Sequence, residues 1–189
     1  MAADPSRRVN FSSAMAPDPI ASLRPATCGD LLAINDIYNH YVLHSTCTYQ
    51  ETPETMEGRR EWFGRHGDEH PVIVAEIEGR VAGWGSLSAY HTRSAFRRTV
   101  EDSIYIHPEL HGRGLGSLVL RDLVRRARSL GHHAIVAAIE AEQPASLALH
   151  TRCQFEPVGR LRQVGFKFGR WLDLIYLELL LPGPETDRA

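Results

Sequence analysis

At 189 residues the chain is long enough for one domain with a sizeable core and leaves little room for a second. Hydrophobic residues make up 43% and charged residues 23%, and a formal net charge of −2 lacks the basic excess that a nucleic-acid binder carries. No apolar run reaches transmembrane length, and three cysteines (Cys28, Cys47, Cys153), odd in number and without metal-ligand spacing, argue for a reduced cytoplasmic protein with no metal.

Residues 1–18 are rich in Ala, Pro, Ser and Asp and read as a disordered tail. Ser6-Arg7-Arg8 has the look of a twin-arginine signal, but no apolar stretch follows it, and Met15 is an alternative start. Residues 19–182 then read as a single domain and 183–189 as a polar tail. Ile20 to Pro25 reads as a first strand, with Thr27 or Asp30 capping the helix that follows. That helix carries Leu31, Ile34, Ile37, Tyr38, Tyr41 and Val42 at a 3.6-residue period. Ser45 to Pro53 is polar around Tyr49, either a plain loop or one wall of a pocket, and a second helix spans 54–66. The apolar run Pro71 to Ile77, a Glu78-Gly79 turn and Arg80 to Leu87 form a hairpin. Loop 88–99 is basic and aromatic.

Residues 100–106 alternate and are rich in β-branched and aromatic residues, as a buried strand requires. His107-Pro108 ends that strand, because proline has no N–H for the ladder. The loop His111-Gly-Arg-Gly-Leu-Gly116 follows, and then an amphipathic helix to Leu130. Glycines at 112, 114 and 116 permit positive φ and close approach, and the N–H groups at the helix start form an anion site. The Lys-Ser/Thr pair of a Walker A loop is missing, and the glycine spacing does not match GxGxxG. A strand at Ala134 to Ile139, a short helix at Pro144 to Cys153, a strand beginning at Phe155 and a last strand at Leu172 to Leu181 complete the chain. The order β α α β β β α β α β β is an α+β arrangement, one mixed sheet flanked by helices.

The glycine loop resembles the coenzyme A pyrophosphate loop of the GNAT acyltransferases, Gln/Arg-x-x-Gly-x-Gly/Ala, with His111 in the first position. The element order over residues 20–181 resembles the GNAT fold, in which the sheet is mostly antiparallel. Thr99 to Ile106, the Ser146 to His150 helix and Gln163 to Leu174 (QVGFKFGRWLDL) resemble the phosphinothricin, methionine sulfone and methionine sulfoximine N-acetyltransferases. Two departures stand out: Gln143 where that family often has an Asn on the cofactor, and Gln154-Phe155 in place of Gly-Phe.

The resemblance implies acetyl transfer from acetyl-CoA to the amine of a small amino-acid-like acceptor, by direct attack in a ternary complex. Glu101, in an otherwise apolar strand, is the candidate base, and burial raises a carboxylate's pKa toward neutrality. His150 stands where many GNAT enzymes have a tyrosine acid, either as a catalytic helper or as an ordinary helix-face histidine. Ile104, Tyr105 and Ile106 are expected to pair with the pantetheine arm, with a backbone N–H near Ile106 as oxyanion donor. His111, Gly112, Arg113, Gly114, Leu115, Gly116 and Ser117 are expected at the pyrophosphate, with Gln143 nearby. His91, Arg93, Arg97 and Arg98 supply cations for an acidic acceptor, and the site also draws on Asp102, Ser103 and Tyr49. Lys167 and Trp171 are expected to complete walls, Trp171 as core or dimer contact, and the enzyme to be a homodimer. The alternatives are a GNAT enzyme for another amine, such as an aminoglycoside or a protein, or a coenzyme-binding module without turnover. A polyamine is disfavoured by the basic loop, and retention of Glu101 and the glycine loop speaks against a silent module.

Overall fold

The computed structural model describes residues 21–182. The readings of both tails, and of Ile20 in the first strand, lie outside the described residues. The elements are β1 (Ser22–Pro25), α1 (Leu31–His44), α2 (Met56–Gly64), β2 (Val72–Ile77), β3 (Arg80–Ala89), β4 (Thr99–Ile106), α3 (Leu115–Ser129), β5 (Ala134–Glu140), α4 (Pro144–Arg152), β6 (Glu156–Lys167) and β7 (Arg170–Leu180). The expected order is met element by element. The strands form one seven-stranded sheet, β1-β2-β3-β4-β5-β7-β6, antiparallel throughout except for β4 against β5.

Alternation along the strands divides the core into two layers. Ile73 and Ala75 of β2, Leu87 of β3 and Val100 of β4 pack with Val119, Leu120 and Leu123 of α3. Val72 and Val74 of β2 and Trp84 of β3 face the other way, onto Leu31, Ile34 and Ile37 of α1, with Tyr105 and Trp62. The sheet is therefore sandwiched by α3 and α4 on one face and α1 and α2 on the other.

One irregularity positions everything that follows. The β4–β5 ladder lasts only three pairs, Thr99↔Ala134, Val100↔Ile135 and Glu101↔Val136. Beyond Glu101, β4 stays with β3 up to Gly83↔Ile106, while β5 stays with β7 up to Glu140↔Leu174. The sheet is split at its centre.

Candidate active site

The split opens into a cavity of about 850 Å³. Residues 101–106 of β4 and 137–140 of β5 form its two edges. Tyr90 N–H donates to Thr99 O and His107 N–H donates to Ala82 O, so odd-numbered β4 residues turn their main chain toward β3. By alternation Ile104 and Ile106 turn theirs toward the gap, where no strand meets them. The Ile106 carbonyl accepts from the Tyr41 hydroxyl, and Tyr41 in turn lies 2.6 Å from His111 Nε2. By the same alternation the Ile106 N–H points to the gap.

At one end of the cavity Gly112 and Gly114 both take φ of +78°, a left-handed conformation that side chains disfavour. Gly114 caps α3, so the N–H groups of Leu115, Gly116 and Ser117 have no partner within the helix and face the cavity lining. This is a cradle for an anion, built from backbone.

Two adjacent carboxylates project to opposite faces of β4. Glu101 faces the α1/α2 side, as do Ser103 and Tyr105. It is half-buried, and that burial, followed by the neighbouring Asp102 charge, raises its pKa above the ordinary 4.5. Tyr176 of β7 lines the cavity close by; burial raises its pKa, with Tyr90 and Glu101 adding to the effect. Asp102 faces α4, where its Oδ2 lies 3.1 Å from His150 Nε2. His150 Nδ1 lies 2.8 Å from the Ser146 carbonyl, which can only accept, so Nδ1 carries a hydrogen. Burial pushes the His150 pKa down, but the hydrogen bond and charge of Asp102 outweigh it and the net shift is upward. Asp102 lines the cavity, and its Oδ1 is buried with no hydrogen-bond partner among the described residues.

These features suit an anionic ligand at the α3 N-terminus with an extended arm along the open β4 edge, and a carboxylate on the opposite face of the sheet. The chain matches the Acetyltransferase (GNAT) family over residues 34–155. The chain belongs to the GNAT family. It is 43% identical over 163 residues to an L-methionine sulfoximine/L-methionine sulfone acetyltransferase of Pseudomonas paraeruginosa, covering 85% of this chain and 95% of the relative. It is 36% identical to a phosphinothricin N-acetyltransferase of Alcaligenes faecalis, covering 83% and 81%. A GNAT superfamily phosphinothricin acetyltransferase from Sinorhizobium meliloti, solved in complex with acetyl-CoA, superposes with a TM-score of 0.85 at 40% identity, over 88% of this chain and 92% of that one. The protein is an acetyl-CoA-dependent N-acetyltransferase.

Within this GNAT site the expected residues are only partly brought together. Tyr49, Glu101, Asp102, Ser103, Ile104, Tyr105, Ile106, His111, Gly112, Leu115, Gly114, Gly116, Ser117, Gln143 and His150 all line the cavity. Four of them also make contacts within the protein. Both ring nitrogens of His150 are engaged, as in the helix-face reading of this residue. Asp102 is held by His150 before any acceptor arrives. His111 turns back to Tyr41. The Gln143 amide donates to Thr46 Oγ1 at 3.1 Å and Glu140 Oε2 at 3.3 Å rather than standing open.

Arg113 is exposed and off the lining. His91, Arg93, Arg97 and Arg98 are likewise exposed and are not part of this cavity's lining. Their loop is closed on itself: Arg93 N–H donates to His91 Nδ1, and Phe96 packs against Tyr90 and His91. Lys167 lies behind the wall rather than in it, and Trp171 is exposed rather than core. Tyr41, Cys47, Thr48, Glu140 and Tyr176 line the cavity unforeseen. Tyr41 read as one more apolar-face residue of α1. Tyr176 sits in an apolar strand, where alternation alone would have marked its face.

Proposed function

We propose that this enzyme acetylates the α-amine of a small amino-acid acceptor of the methionine sulfone, methionine sulfoximine or phosphinothricin type. The single observation that carries the reading is the half-buried Glu101 carboxylate, without a side-chain partner among the described residues, at the apex of the split, opposite an open strand edge that leads to a backbone anion cradle. Relatives named for these acceptors, at 36–43% identity, support the choice of acceptor class.

Gly112, Gly114 and the α3 N-terminus would hold the pyrophosphate, and Ile104 and Ile106 the pantetheine arm. The fit is seen in the left-handed glycines and the unpaired edge. Bound acetyl-CoA supplies an activated acyl group and a thiolate leaving group. Glu101 takes the amine proton, directly or through water, so that nitrogen can attack the thioester carbon as the C–S bond breaks. The Ile106 N–H would donate to the carbonyl oxygen as charge gathers there. Tyr41 keeps the Ile106 carbonyl occupied, so its lone pairs do not oppose that charge. The loop from His91 to Arg98 lies beyond the cavity walls, and its cations would meet an acidic acceptor on approach rather than at the bottom of the site.

We place the enzyme in the cytoplasm as a homodimer. No helix among the described residues is long and apolar enough to cross a membrane, and no group of His, Cys, Asp or Glu among them could hold a metal. Val164, Phe166, Phe168 and Trp171 present an exposed apolar face on the β6–β7 hairpin that a second copy would cover.

The test is thiol release from acetyl-CoA over a panel of methionine sulfone, methionine sulfoximine, phosphinothricin, common amino acids, spermidine and an aminoglycoside. One of the first three is expected to react best, and Glu101→Gln to lower kcat by about 10²–10⁴-fold. Because the Glu101 pKa is raised, wild-type rate falls as pH drops through a value above 4.5, and the variant loses that limb. Turnover only with spermidine or the aminoglycoside would sink the acceptor assignment.

A further inference from the structure

Residues 45–49 follow α1 without regular structure, yet they are anchored from three directions. Thr46 Oγ1 donates to Glu140 Oε2 at the end of β5, at 2.9 Å. Thr48 Oγ1 lies 3.0 Å from the Tyr38 hydroxyl on α1. The third anchor is the β6–β7 hairpin. Lys167, 1% exposed, sends its ammonium to the carbonyls of Ser45 at 2.7 Å and Thr48 at 2.8 Å. It makes no ion pair among the described residues; the two carbonyls and the Phe168 ring face, 5.0 Å away, are its surroundings.

Tyr49 donates its hydroxyl to the Asp173 carbonyl at 3.0 Å, and its ring lies on Gly165. A Cβ at 165 would come within 2.3 Å of two ring carbons. Cys47, Thr48 and Tyr49 line the cavity, whereas Gly165, Lys167 and Asp173 stand behind them. The Tyr38 and Thr48 contacts place this wall on the face of the sheet that Glu101 shares.

We propose that Tyr49 is the wall that decides which acceptors fit, and that Gly165 and Lys167 fix its position from behind as positioning residues. The proposal rests on the reading of the site as an acetyltransferase for small amines. It also gives a physical content to the run Gly165-Phe-Lys167 in the C-terminal signature. Glycine leaves room for the ring, and the lysine ties down the backbone on either side of Cys47. The backbone at 165 is not left-handed, so alanine can occupy it and only the ring must give way. Lys167→Met keeps the stem and leaves two carbonyls without their donor.

The experiment is steady-state kinetics of wild type, Gly165→Ala, Lys167→Met, Tyr49→Ala and the Gly165→Ala/Tyr49→Ala double variant, on the reactive acceptor and its close homologues. Gly165→Ala is expected to raise the acceptor KM about tenfold and to reorder the acceptors, with the acetyl-CoA KM unchanged. In the Tyr49→Ala background the same change is expected to do nothing further. Lys167→Met is expected to follow Gly165→Ala; should it fail to fold, the glycine and tyrosine cycle decides alone. An equal rise in the acetyl-CoA KM, or a full effect of Gly165→Ala without the Tyr49 ring, would overturn the proposal. Wild-type enzyme inert toward every amine would instead overturn the acceptor reading beneath it.

Discussion

His150 and Asp102 are 48 positions apart in the chain, and their encounter changes what each can do. An imidazole between a carbonyl and a carboxylate is held as a two-sided donor. The sign of its pH effect follows from its raised pKa. The pair's stabilisation is fully present below the ordinary histidine value of 6.5 and is lost as pH rises through the higher folded value. Asp102→Asn should therefore lower stability by about 3 kcal/mol at pH 5–6, with the difference from wild type shrinking as pH rises. Urea midpoints followed from pH 5 to well above the ordinary histidine value measure it, and a difference that stays constant over that whole span would refute the pairing. Glu101 was legible because a lone carboxylate in an apolar strand is a local signal. Asp102 and His150 were visible singly, but nothing in either neighbourhood announces the other. Gln154 is a further residue of this kind. It takes φ of +70°, so the position where the family resemblance implied a glycine is a strained backbone position in the fold.

The elements were easier to read than the contacts between them. Hydrophobic period and glycine placement gave the eleven helices and strands in order, with ends shifted by a residue or two. β7 starts at Arg170, earlier than the apolar run suggests, because Phe168 and Gly169 both adopt positive φ and turn the chain tightly. β6 is exposed along almost its whole length, so it lacks the alternation that marks a strand with one buried face. Loop 91–98 was ambiguous for a different reason: charge says what a loop can attract, not where it points. The hairpin's outer face carries its own expectation. Trp171→Glu puts a charge in the middle of the apolar patch, beside Phe166 at 5.1 Å between rings. Light scattering should then report half the wild-type mass, and an unchanged mass would remove the dimer from this face.

At the scale of the molecule, the decisive feature is a sheet that stops being one at Glu101. Topology told the order of strands, but the early parting of β4 and β5 depends on how far each is held by its outer neighbour, and no local pattern encodes that. The unpaired edge is an unfinished sheet, and a coenzyme arm lying along it would act as a borrowed strand. Binding to the folded state alone then adds stability by mass action: at a hundred times Kd the gain is about 2.7 kcal/mol, or roughly 5–10 °C in Tm for a domain of this size. A melting curve with coenzyme A against one with free adenosine diphosphate separates the borrowed strand from the anion cradle, and only the former should give the full shift. Persistence of the protein would then track the supply of coenzyme A, acylated or free. A cell short of the coenzyme would hold a looser, more readily degraded population of this enzyme, and a well-supplied one would keep it.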